Sequence, residues 1–158
     1  MSQHGRNLYV RAQVGGENVG FPVTAVREII HVPPIVRVPR APHWLRGVTA
    51  LRGQSIPIVC LRERFGMETT APTAQMRVIV AEVCGQPVGF LVDSVSTVHG
   101  FAQEDIEPPT ALLLNEQNSC VHAIGHDGET LVLLLQPDQL LERKQLEQLN
   151  GLAASHTA

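Results

Sequence analysis

Apolar residues along this chain recur at alternate positions or gather in short unbroken runs, with Gly, Pro and Asn punctuating them. Both patterns belong to short strands joined by tight turns. Residues 8–14, a turn at Gly15-Gly16-Glu17-Asn18 and residues 19–23 predict a first hairpin. Residues 76–83, Cys84-Gly85-Gln86 and residues 87–92 predict a second. A third strand follows each hairpin, over 27–32 and 96–101. Pro33-Pro34 stops the earlier one, because proline has no N–H to give a ladder. Two closing hairpins come last: 47–51 with 55–61 around Arg52-Gly53-Gln54, and 121–125 with 130–135 around His126-Asp127-Gly128.

Helical patterns are few. Short turns are predicted at 42–46 and 62–65, each ahead of a glycine, and one longer helix over 138–150, capped by Asp138 and ended by Gly151. The strands fall into two similar sets. Val19-Gly20-Phe21-Pro22-Val23-Thr24-Ala25-Val26 reads against Val88-Gly89-Phe90-Leu91-Val92-Asp93-Ser94-Val95, and Gly53-Gln54-Ser55-Ile56-Pro57-Ile58-Val59 reads more loosely against Gly128-Glu129-Thr130-Leu131-Val132-Leu133-Leu134. A supersecondary unit used twice is the implication. Short strands, tight turns and no long helix between them predict an all-β chain of paired small barrels, since closure removes exposed strand edges. The expected division is a tail over 1–6, one lobe over about 7–66, a linker at 67–75, a second lobe over about 76–137, the helix at 138–150, and a tail at 153–158.

Composition narrows the picture. The chain has 158 residues, 44% of them apolar and only 4% aromatic, so branched aliphatics must fill the core. No apolar run is long enough to span a bilayer, and the first residues lack a signal-peptide segment, so a cytoplasmic protein is expected. Charge is segregated: residues 1–77 carry ten Arg against four Glu, whereas residues 78–158 carry Arg143 and Lys144 against eleven acids. Two readings stand, complementary surfaces that steer a partner or a second copy, and a solvated surface with chance segregation. Nucleic-acid binding is disfavoured, because one Trp and one Tyr leave almost no stacking platform.

The candidate chemistry is thin. Cys60, Cys84 and Cys120 make neither a CxxC pair nor a disulfide framework and read as reduced thiols. Cys120, His122 and His126 share one face of an ideal strand and are the metal candidates, but they lack a fourth ligand. A Cys nucleophile would need an orienting group and a thiolate-favouring pocket, and neither is evident. No catalytic residue and no cofactor is assigned.

The motifs taken together resemble the CheW-type chemotaxis coupling proteins. The likeness runs from Val26-Arg27-Glu28-Ile29-Ile30 through Val38-Pro39-Arg40-Ala41-Pro42, Arg46-Gly47-Val48-Thr49-Ala50-Leu51-Arg52-Gly53 and Ile56-Pro57-Ile58-Val59-Cys60-Leu61-Arg62. It continues through the second repeat, Ile106-Glu107-Pro108-Pro109 and the strand after Gly128. The resemblance implies two five-stranded SH3-like barrels side by side and a non-enzymatic adaptor. One surface of that adaptor binds the regulatory domain of a histidine kinase, and a groove between the lobes takes the helical tip of a chemoreceptor. It points to Val26, Glu28, Gly47, Arg52 and Gly89 as partner-binding positions, with Val95 and Val98 on the equivalent surface of the second repeat. From the residues alone, Arg52 is open to two roles, satisfying turn carbonyls or meeting a partner's carboxylate. Val95 and Val98 are open to groove or core. The resemblance also implies recruitment to membrane-associated receptor arrays without membrane insertion, and the lobe charges add self-association in rings. Cys60 stands where the family usually has Asp and Ala50 where it often has Asn. Both are expected beside the Arg52 turn, and a specialised member serving a non-flagellar pathway is the alternative.

Overall fold

The structure, a computed structural model, describes residues 6–109, 120–141, 145 and 147. Its strands are β1 (Arg6–Val14), β2 (Glu17–Pro22), β3 (Val26–His31), β4 (Leu45–Leu51) and β5 (Gln54–Cys60), a short helix α1 (Leu61–Arg64), then β6 (Arg77–Val83), β7 (Gln86–Val92), β8 (Ser94–Ala102), β9 (Ile106–Glu107), β10 (Val121–Asp127) and β11 (Thr130–Leu135). The all-β expectation holds, and each predicted hairpin forms. Tight turns explain why. At Gly15-Gly16, Arg52-Gly53 and Cys84-Gly85 both central residues have positive φ, the twist that two-residue hairpin loops require.

The strands do not stay within their own repeat. One sheet runs β8-β1-β2-β11-β10-β9 and the other β3-β6-β7-β5-β4. Each repeat thus lends its first hairpin to the other: β1–β2 sits among β8 to β11, and β6–β7 sits among β3 to β5. The sheets therefore do not follow the expected lobes at 7–66 and 76–137, because antiparallel pairing of β1 with β8 and β6 with β3 replaces pairing inside a repeat. One sheet has six strands, not five, because the two-residue β9 adds to β10. Each sheet curls back on itself. The chain after β8 returns as β9 to pair with β10, and the chain after β3 returns at Val36 to bridge Val48 of β4.

The repeat is visible in packing as well as in letters. Gly20 pairs in parallel with Leu134, and a Cβ there would lie 3.0 Å from Leu134 and 3.2 Å from Tyr9. Gly89 pairs in parallel with Ile58, and a Cβ there would lie 2.7 Å from Ile58 and 2.8 Å from Val78. In both repeats a glycine admits the side chain of the parallel neighbour, so the shared VGF motif has one physical cause. The next residue in each, Phe21 and Phe90, is fully buried, and their rings sit 5.7 Å apart between the sheets. A buried phenylalanine of this kind is worth about 3–5 kcal/mol relative to alanine.

Among the described residues three apolar clusters result. Tyr9, Phe101, Ala123, Val132 and Leu134 fill the first sheet, and Ile56, Ile58, Val78 and Val80 fill the second. The largest lies between them and draws on both. Along β6, Val78 and Val80 face the inner cluster while Ile79, Ala81 and Val83 face the shared one. This is why Val78 to Ala81 is an unbroken apolar run.

Local differences from expectation have local reasons. The turn at 42–46 is shorter than predicted, because strand β4 already begins at Leu45, which pairs with Val59. The short helix predicted at 62–65 forms as α1. At the C-terminal end, Pro137–Gln139 form a 3-10 turn, Leu140 and Leu141 lodge in the shared core, and Gln145 and Glu147 are helical. The rest of the helix expected over 138–150 lies outside the described residues. Among the described residues no helix is long and apolar enough to cross a membrane.

Candidate functional site

The candidate residues divide between the sheets, and most gather on the second. Val26 and Glu28 are on β3, Gly47 is on β4, Arg52 is in the β4–β5 turn and Gly89 is on β7, whereas Val95 and Val98 are on β8. Val26 and Val95 are repeat equivalents, and both are partly buried against the shared core. They therefore lie where the two sheets meet. Val98 is 55% exposed and free to make a contact.

Glu28 and Arg52 are brought together. Arg52 Nε donates to Glu28 Oε2 at 2.9 Å and Nη2 donates to Oε1 at 3.0 Å, a two-pronged pairing that joins β3 to the hairpin tip. The Arg52 guanidinium holds the Glu28 carboxyl below the usual carboxylate range, first through these hydrogen bonds. Glu28 raises Arg52 in return. Of the two roles open to Arg52, neither is its main contact here: it satisfies a carboxylate of its own chain. The side chain remains 76% exposed. Its backbone φ of 52° fits the turn. Two of its five N–H groups are used on Glu28, which leaves three on an exposed side chain for another acceptor.

Gly47 and Gly89 are buried and present no docking atoms. At Gly47 a Cβ would lie 2.1 Å from the Val36 carbonyl oxygen, and φ is 148°. This glycine lets the segment after β3 press onto β4, where Val36 and Val48 exchange hydrogen bonds of 2.8 and 2.9 Å. Their place in the site is to shape the second sheet.

The metal candidates are pulled apart. A β-bulge between Val121 and Ala123 breaks the alternation that would have aligned them. Cys120 is buried in the shared core, and burial pushes its thiol pKa up. The His122 ring meets the Tyr9 hydroxyl at 3.2 Å, and burial lowers its pKa. His126 contacts Glu107 at 2.7 Å. Among the described residues no group of three His, Cys, Asp or Glu is placed to hold a metal ion.

Cys60 also differs from expectation. It ends β5, at the open end of the hairpin whose closed end holds Arg52, because Leu45 pairs Val59 there. Its neighbours are Arg46, whose Nη2 is 3.6 Å from the sulfur, and Trp44, whose carbonyl accepts the Cys60 N–H at 2.8 Å. Ala50, by contrast, does sit beside the Arg52 turn, opposite Ser55.

A second set of polar groups was not singled out from the sequence. Arg62 Nε and Nη2 donate to the two oxygens of Asp93 at 2.8 and 2.6 Å. The signal was present: Asp93 is the one acid in its repeat segment, opposite Thr24, and an acid inside an apolar repeat needs a partner. A recess of about 430 Å³ lies between the sheets near α1, lined by Val19, Phe65, Met67, Cys120, Val121 and Leu133 among others.

Electrostatically the hairpin exchange preserves the charge split. Residues 26–92, which include every strand of the second sheet, hold eight Arg against four Glu. The first sheet's stretches, 6–22, 94–109 and 120–135, hold two Arg against six acids.

Comparison with known proteins gives one consistent result. A family model described as a CheW-like domain matches residues 8–145. The chain is 31% identical over 147 residues to a chemotaxis protein CheW of Rhizobium meliloti, covering 93% of this chain and 94% of that one. It is 29% identical over 143 residues to the CheW of Klebsiella aerogenes, covering 90% and 86%. Among solved structures, the scaffolding protein TtCheW of Thermoanaerobacter tengcongensis superposes with a TM-score of 0.80 at 26% identity, covering 89% of this chain and 95% of that one.

Proposed function

This chain belongs to the CheW-like family, and on that premise we propose that it is a non-enzymatic scaffold coupling chemoreceptors to a chemotaxis-type histidine kinase. The observation that carries this reading is the match across residues 8–145 on a fold with the same two-sheet architecture. Geometry supports it. The Glu28–Arg52 pair stands outward on the second sheet, and Val26 and Val95 flank the line where the sheets meet. Apolar branched side chains beside a fixed guanidinium fork suit the apolar face and acidic edge of a receptor helix.

The kinase's regulatory domain takes a different face. Like-folded lobes can pair pseudo-symmetrically, and a basic sheet opposite an acidic one favours head-to-tail contacts. The same charges support self-association of this scaffold into rings. Gly47 and Gly89 serve binding indirectly, by keeping the second sheet in shape.

The test is direct. The purified chain is titrated with a cognate receptor-tip fragment and, separately, with the kinase regulatory domain. It is expected to bind both. Glu28→Ala and Arg52→Ala are expected to keep their circular dichroism spectrum and to bind at least one partner about tenfold more weakly. Failure of the unaltered chain with every cognate pair overturns the reading. Unfolding of Arg52→Ala would remove Arg52 from the docking face and make it a structural residue.

A further inference from the structure

The chain passes between the sheets at two points: from β2 to β3 through the 3-10 turn Val23–Ala25, and from β7 to β8 through Asp93 alone. Asp93 is more than a link. Its carboxylate accepts both prongs of Arg62, from α1, and its Oδ2 also accepts the Gly15 N–H at 2.9 Å, from the tip of the β1–β2 hairpin. Its own N–H donates to the Gln13 carbonyl at 2.9 Å. Arg62 is steadied in turn, since its Nη1 donates to the Glu68 carbonyl at 3.1 Å. One carboxylate therefore joins the helix that leaves the second sheet, the crossing itself, and a hairpin tip of the first sheet. Burial pushes the Asp93 carboxyl upward, but the Arg62 fork and the Gly15 N–H outweigh it and hold the group below its ordinary range.

The other exchanged hairpin shows a related contact. Cys84 is the repeat equivalent of Gly15, and its N–H donates to Asp138 Oδ1 at 2.8 Å. No ion pair reinforces Asp138 among the described residues. Both hairpin tips are caught by a carboxylate, and among the described residues an arginine pairs with the one at Asp93.

We propose that Arg62, Asp93 and the Gly15 N–H form a positioning lock, which holds the two sheets in the mutual orientation that lets the receptor-binding and kinase-binding faces act together. The lock touches neither partner. It rests on the function proposed above, because coupling through a scaffold needs a fixed relation between two faces that each bind alone. Arginine is required at 62 because only a planar fork meets both carboxylate oxygens at once.

The experiment compares the full chain with Asp93→Asn, Arg62→Met and Asp93→Glu. Each is measured for affinity to the receptor-tip fragment alone, for affinity to the kinase regulatory domain alone, and for kinase stimulation in the receptor–scaffold–kinase mixture. Asp93→Asn and Arg62→Met are expected to change each separate affinity less than about threefold and to lower stimulation about tenfold, with Asp93→Glu recovering most of it. Unchanged stimulation, or a loss matched by the loss of one separate affinity, overturns the lock. Should Asp93→Asn unfold, Arg62→Lys carries the same comparison, since it keeps the charge and removes the fork. If the unaltered chain binds neither partner, the proposed function fails and the lock is judged by amide exchange at Gly15. Exchange about tenfold faster in Asp93→Asn than in the parent supports it, and equal exchange overturns it.

Discussion

Arg46 illustrates what one residue's neighbour decides. Its Nη2 lies 3.6 Å from the Cys60 sulfur and 3.7 Å from Glu63, and its Nε is buried without a partner among the described residues. A thiol is a poor acceptor, so the guanidinium is only partly satisfied. Replacing Cys60 with Asp places a carboxylate where that fork points, and charge-assisted bonds are the stronger kind. Cys60→Asp is expected to raise the melting temperature by about 2–6 °C, followed by circular dichroism. A lower melting temperature would mean that desolvating the new carboxylate costs more than the pairing contributes. Glu28 and Arg52 were both legible as candidates, one as an acid on a strand and one as a cation in a tight turn. Their pairing was not, because the turn that brings them together depends on β3 curling towards β4.

At the scale of elements, turn chemistry and periodicity carried the strands almost unaided, since local backbone preference and burial pattern agree there. Connections differ in what they hold. The stretch after α1 joins β5 to β6 within one sheet and is largely exposed. Asp93 joins two sheets and is bonded on every side. An insertion of four Gly/Ser residues between Thr70 and Ala71 is expected to cost less than about 1 kcal/mol, because loop closure grows only slowly with length. The same insertion between Asp93 and Ser94 is expected to cost several times more in urea unfolding. Equal costs at the two sites would show that Asp93 is an ordinary connection. The metal candidates were misplaced at this scale. Ideal alternation put Cys120, His122 and His126 on one face, and a single bulge undid it.

At the scale of the molecule, the two sheets form a charge dipole that survives the exchange of hairpins. If opposite sheets of neighbouring copies attract, self-association is governed by ionic strength. Sedimentation of the purified chain is expected to show assemblies at low salt that dissociate as salt rises, and reversing Arg37 and Arg40 to Glu is expected to abolish them. Assembly indifferent to salt or to that reversal would sink the ring proposal. The shared core ties the sheets together: Phe21 of β2, Phe90 of β7, and Leu140 and Leu141 of the segment after β11 all bury into it.

The amino-acid order alone determined that this chain is built from strands, that a unit is used twice, and where each hairpin turns. These follow from alternation, from backbone freedom at the turns and from the Val-Gly-Phe motif that recurs in both halves. Which hairpin joins which sheet could not be read there, because the two repeats are alike enough that either pairing satisfies the local pattern. The fold settles it through long-range complementarity: β1 against β8, β6 against β3, and Asp93 held by Arg62 at the crossing. Partners far apart in the chain meet only once both sheets have closed.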